Sequence, residues 1–162
     1  MSQITVHIPM EDYLAQYFIH ERGGITPVSL GYGSVESKIL ETYLIKRPHD
    51  VEPDFGGEGK VAVYIPTFRN RPAEVYNYLP KSAALVFANS IRHRLDIELW
   101  NAVHPFTKMG LQRIDELIYA FMECHGIAMT EANWNALAKR FQRQRKQYND
   151  REQKKLKKSK KI

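Results

Sequence analysis

Residues 116–148 read ELIYAFMECHGIAMTEANWNALAKRFQRQRKQY, and the apolar spacing on both sides of Gly126 is helical. Before the glycine, Leu117, Ile118, Phe121 and Met122 continue a stripe begun by Leu111 and Ile114, recurring at intervals of three and four. Gly126 ends that helix, Thr130 suits the N-cap of the next, and Glu131 favours its positive end. At 100° per residue, Trp134, Leu137, Phe141 and Tyr148 fall within roughly 60°, while Lys139, Arg143 and Lys146 occupy a similar sector about opposite. The second helix is expected to dock by one face and to offer cations from the other.

Charge concentrates at the same end. Residues 139–162 hold 12 Lys or Arg against two acids, a formal +10, whereas residues 1–138 hold 12 basic and 16 acidic side chains, a balance of −4. The segment REQKKLKKSKKI (151–162) has only Leu156 and Ile162 as apolar residues, which predicts a disordered basic tail. Its Arg151, Lys154, Lys155, Lys157 and Lys158 can bind phosphates through counterion release, a sequence-independent attraction.

Upstream, Ile4, Val6 and Ile8 alternate with Thr5 and His7 up to Pro9, and Val61, Val63 and Ile65 fall on one face up to Pro66. The two V-x-I-P endings predict neighbouring strands of one small sheet. Between them, Tyr13, Leu14, Tyr17 and Phe18 predict a helix stopped by Gly23 and Gly24. Ser34 predicts the cap of another, with Val35, Ile39, Tyr43 and Leu44 as its buried face. The stretch PHDVEPDFGGEG (48–59) combines prolines, glycines and acids without periodicity, so it reads as a mobile connecting loop and a soft boundary. From Lys81 to about Val103, a broad stripe of Leu85, Phe87, Ile91, Leu95, Leu99 and Trp100 predicts a long helix, with Pro105 preventing its continuation.

These elements predict an α+β protein. Its small β-sheet and helices in the N-terminal half precede a helical part over 81–150; residues 1–150 form one domain and 151–162 the tail. No apolar run approaches the length of a membrane span, and MSQITVHIPMEDY lacks a basic region followed by an apolar one, so the expectation is a cytoplasmic protein with no membrane partner. Cys124 is the sole cysteine, which excludes an internal disulfide and a multi-thiolate zinc site. GYGS (31–34) lacks the spacing and lysine of a phosphate loop and reads as a turn. His93, Asp96 and Glu98 lie close in sequence, but on a helix Glu98 points away from the other two, which favours a polar face over a nuclease metal site. Arg69, Arg71, Arg92 and Arg94 suggest a second basic surface unless nearby acids pair with them.

Helix, glycine-containing turn, helix is the outline of a helix-turn-helix, whose second helix enters the major groove. It is also the ordinary way to finish a helical core. If the first description holds, the DNA-facing residues are Asn135, Lys139, Arg140, Gln142, Arg143 and Lys146, with the tail cations on adjacent phosphates. Together with ITVHIPMEDYLAQYFIHERGG at the start, residues 116–148 resemble small uncharacterised proteins encoded on bacterial phages and conjugative elements, and this resemblance implies DNA transactions. The expectation is a non-catalytic DNA-binding protein, regulatory or accessory, without a cofactor or metal; RNA fits the same electrostatics, and a homodimer would pair half-sites. The alternative is a protein-interaction module whose basic end keeps it soluble, and a metal-dependent nuclease ranks third.

Overall fold

The computed structural model describes residues 4–110 and 113–160. Its elements run β1 (Thr5–Pro9), α1 (Asp12–Glu21), α2 (Val35–Tyr43), β2 (Ile45–Lys46), β3 (Lys60–Tyr64), β4 (Tyr76–Tyr78), α3 (Lys81–Met109), α4 (Ile114–Cys124) and α5 (Glu131–Ser159). This is the α+β layout expected, with a helical C-terminal half. The chain divides into two compact units, Met1–Arg94 and Leu95–Ile162. The division falls within α3, not in the loop at 48–59 where a soft boundary was expected.

In the first unit the paired V-x-I-P segments meet as anticipated: β1 and β3 are antiparallel, with Val6 opposite Val63 and Ile8 opposite Val61. Alternation buries Val6, Ile8, Val61 and Val63 on the core side. Val28 bonds the other edge of β3, donating to Ala62 O at 2.8 Å and accepting from Tyr64 N at 2.9 Å. α1 buries Tyr13, Leu14, Tyr17 and Phe18, the stripe read from sequence, and Gly23 (φ 95°) turns the chain out of it. β2 and β4 form a second small antiparallel pair that the sequence did not announce.

α2 is capped by Ser34, whose hydroxyl accepts from Ser37 N at 3.2 Å, but its buried face differs from expectation. Glu36, Ser37 and Leu40 are buried, while Val35 and Tyr43 are exposed. The cause is ionic. Glu36 is 1% exposed and receives Arg22 at 3.0 Å and Arg94 at 2.8 Å, so a carboxylate with two guanidinium partners replaces an aliphatic side chain at the helix's inner position. Arg94 also binds Glu21 at 2.9 Å. Burial opposes its charge, but its hydrogen bonds to Glu36 and Glu21 outweigh this and raise its pKa. Arg92 binds Glu11 at 2.7 Å, and Arg71 donates to the Thr42 and Leu44 carbonyls at 3.2 and 3.0 Å. Arg71, Arg92 and Arg94 are thus engaged within the fold, which removes most of the second basic surface.

In the second unit the buried side chains include Leu95, Leu99 and Val103 of α3, Leu117, Ile118, Phe121 and Met122 of α4, and Leu137, Ala138 and Phe141 of α5. Leu111 of the expected α4 stripe lies outside the described residues. α3 continues through Pro105 to Met109, beyond the stop expected near residue 103. Proline's fixed φ is already helical, so only its missing amide donor and the ring's crowding of the preceding turn oppose continuation. Burial of Val103 and stacking of His104 on Trp100, with ring centroids 4.0 Å apart, hold this part of the helix.

A larger correction concerns the C-terminal end. The segment expected to be disordered from residue 151 continues α5 as helix to Ser159. Lys, Arg, Gln and Glu are good helix formers, and extending an existing helix avoids the cost of nucleation.

Candidate nucleic-acid interface

Thr130 starts α5 by accepting the Asn133 amide at 3.2 Å, and the buried Asn133 side chain donates to Ala128 O at 3.0 Å. These bonds satisfy backbone groups at the turn and fix where the helix begins. Six residues, 125–130, separate it from α4. Leu137, Ala138 and Phe141 bury the inner face, and Trp134 lies near Tyr119 of α4 with centroids 6.1 Å apart. About two turns beyond Phe141, Tyr148 packs against Trp100 and His104 at 5.4 and 4.7 Å.

Two polar contacts lock the rotation of α5 about its axis. Arg140 places Nε and Nη2 on the two carboxylate oxygens of Asp96, both at 2.6 Å, and Gln144 donates to Asp96 O at 2.8 Å. Arg140 was expected among the DNA-facing residues. Instead it is partly buried and occupied as a bidentate structural clamp, so it leaves the candidate interface. Asp96 is thereby engaged, and Glu98 lies 3.7 Å from His125 Nδ1. Among the described residues no group of three His, Cys, Asp or Glu side chains is placed to hold a metal ion.

With the inner face fixed, Asn135, Lys139, Gln142, Arg143 and Lys146 are all exposed. Arg151, Lys154, Lys155, Lys157 and Lys158 are exposed along the helical extension. Among the described residues, Lys155 alone of these cations has an ionic partner, Glu152 at 2.8 Å, whose hydrogen bond raises the lysine's pKa. On a helical projection Lys139, Arg143, Lys146, Lys154 and Lys157 fall within about 80°, interrupted by Asp150. At 1.5 Å per residue, Lys139 and Lys157 are about 27 Å apart along the axis, so the stripe can follow several successive phosphates. Arg151 and Lys158 flank it.

Sequence reasoning omitted Arg145. Its angular position borders the docked sector, yet the residue is exposed beside a shallow depression of about 520 Å³ that Trp134, Gln142 and Arg113 also line. A long side chain can lie over apolar surface and still reach solvent, which a helical projection does not register. Among the described residues no helix is long and apolar enough to cross a membrane. Comparison with protein-family models, curated proteins and solved structures finds no match to this chain.

Proposed function

We propose that the protein binds nucleic acid non-catalytically, with DNA as the first candidate, through the exposed cationic stripe of α5 and its C-terminal extension. The observation that supports this reading most is the helix's division of labour. Arg140 is consumed inside the fold, whereas Lys139, Arg143, Lys146, Lys154 and Lys157 share one exposed sector with no carboxylate partner among the described residues. Free cations aligned over about 27 Å suit a polyanion better than a single small anion. Asn135 and Gln142 sit beside the stripe and supply amides that can contact base edges, as a groove-reading helix would require. Phosphate binding does not depend on that geometry. A regulatory or accessory role in a mobile element is compatible with such binding, and pairing of two copies would double the stripe.

The test is fluorescence anisotropy with mixed-sequence duplex DNA, single-stranded DNA and duplex RNA, for the intact chain and for a chain ending at Asp150, across 50–200 mM salt. The expected result is binding that weakens steeply with salt, with weaker but measurable affinity retained after truncation because Lys139, Arg143 and Lys146 remain. Absence of binding by the intact chain at 50 mM salt would defeat the proposal and favour a protein-interaction module. Equal affinity for heparin and every nucleic acid would reduce it to unselective polyanion binding.

A further inference from the structure

The first unit contains a cavity of about 760 Å³, within the range of small-molecule sites. It opens among β1, the loop at 47–59, the residues around Tyr78 and the first turn of α3. Ile4, Val6, Val51, Leu79, Ala84 and Leu85 supply its apolar wall. Leu85 was expected to face the core, yet it is 58% exposed and lines this cavity. The sequence therefore keeps an aliphatic side chain at the opening that the core does not use.

The charged lining is unequal. Lys60 and Asp54 neutralise one another at 2.8 Å, leaving Arg47 and Lys81 against Glu52. Neither Arg47 nor Lys81 has an ionic partner among the described residues. His7 lines the cavity, while its Nδ1 is buried behind it without a protein hydrogen-bond partner, a costly state for a polar atom. The loop is tied down beside it. Asp54 accepts from Gly56 N at 2.9 Å as well as from Lys60, and a Cβ added at Gly56 would come within 2.7 Å of the His7 ring. Gly56 also has a φ of 85°, so this close approach requires glycine for both space and backbone conformation.

We infer that this cavity binds a small monocarboxylic acid, its apolar chain or ring against Val6, Val51, Leu79 and Leu85 and its carboxylate held by Arg47 and Lys81. A purely apolar ligand would leave both cations unused, and an amine would meet them with like charge. The inference is independent of nucleic-acid binding because its residues lie on other elements than α5.

The test is ¹H–¹⁵N correlation spectroscopy of the intact protein titrated with octanoate, octanol and octylammonium. Octanoate is expected to produce saturable shifts at Val6, Val51, Leu79 and Leu85, with a dissociation constant on the order of 1 mM for so small a probe. Octylammonium should bind at least about tenfold more weakly, given its charge. The exposed pair Arg47→Gln and Lys81→Gln should abolish the preference for octanoate over octanol while leaving the remaining spectrum in place. Shifts confined to the α5 lysines, equal binding of octylammonium, or no saturation by octanoate at 10 mM would each overturn the inference.

Discussion

Replacing Lys139, Arg143 and Lys146 together with glutamine tests the cationic stripe where it lies on the folded body. All three side chains are exposed, and glutamine preserves helix propensity, so the fold should persist. On duplex DNA each phosphate contact contributes about 0.9 to the slope of log K against log salt. Removing three contacts should therefore flatten the slope by about 2.7. Between 50 and 200 mM salt one contact weakens binding by about 3.5-fold, and three by about 40-fold. If the intact protein loses affinity by some factor across that range, the triple variant should lose about 40-fold less. Anisotropy titrations at four salt concentrations, with circular dichroism to verify the fold, measure this directly. A variant with unchanged slope but intact helix content would refute the assignment of these three residues to phosphate, and binding would then reside in the extension beyond Asp150.

Three further outcomes test the architecture that positions the stripe. Arg140→Ala leaves the Asp96 carboxylate without its clamp; both groups are partly exposed, so the cost should be about 1–2 kcal/mol in urea denaturation, with DNA affinity per folded molecule largely retained. An affinity loss exceeding that of Arg143→Ala would instead place Arg140 on the nucleic acid. Glu36→Gln leaves Arg22 and Arg94 facing a neutral amide at a buried position and should destabilise the protein by about 2–4 kcal/mol; denaturation indistinguishable from the parent would show that the buried ionic cluster contributes little. Burial, then Lys108 and Arg145, lower the His104 pKa below 6.5. The unfolded chain therefore takes up this proton first as pH falls, so the stability linked to neutral His104 is present above pH 6.5 and is lost as pH falls through the folded pKa. Since His104 stacks on Trp100, a tryptophan-fluorescence transition below pH 6.5 that disappears in His104→Gln is expected, whereas the same transition in both proteins would assign it elsewhere.

Where one physical rule dominated, the sequence was legible. Alternation placed β1 against β3, and the caps at Ser34 and Thr130 fall where their hydroxyls can accept an amide. The misreadings arose where a distant partner changed the local preference. An exposed-looking glutamate became the inner residue of α2 because Arg22 and Arg94, far away in sequence, enclose it. Arg140 looked like one more cation on a basic helix until Asp96, 44 residues earlier, claimed it. β2 and β4 were missed because strands of two and three residues contain too little alternation to register. The cavity was invisible for a related reason: its walls come from four separated segments, and only their juxtaposition makes Arg47 and Lys81 neighbours of an apolar surface.

The end of α5 connects fold and proposed function most directly. From Asn149 to Lys160 no residue is buried, so this part of the helix gains nothing from packing and depends on propensity, on one Glu152–Lys155 pair and on continuity with the anchored turns before Tyr148. Against these stand like charges at helical spacing: Arg151 with Lys154 and Lys155, and Lys154 with Lys157 and Lys158. Their repulsion opposes the helix, while the helix is what gathers Lys154 and Lys157 into the stripe begun by Lys139. A polyanion that neutralises these charges must stabilise the helical form, and by linkage anything that stabilises the helix must raise the polyanion's affinity. On the proposed function, neutralisation of Lys154 and Lys157 by phosphates would therefore add to the stability of the helical extension seen to Ser159.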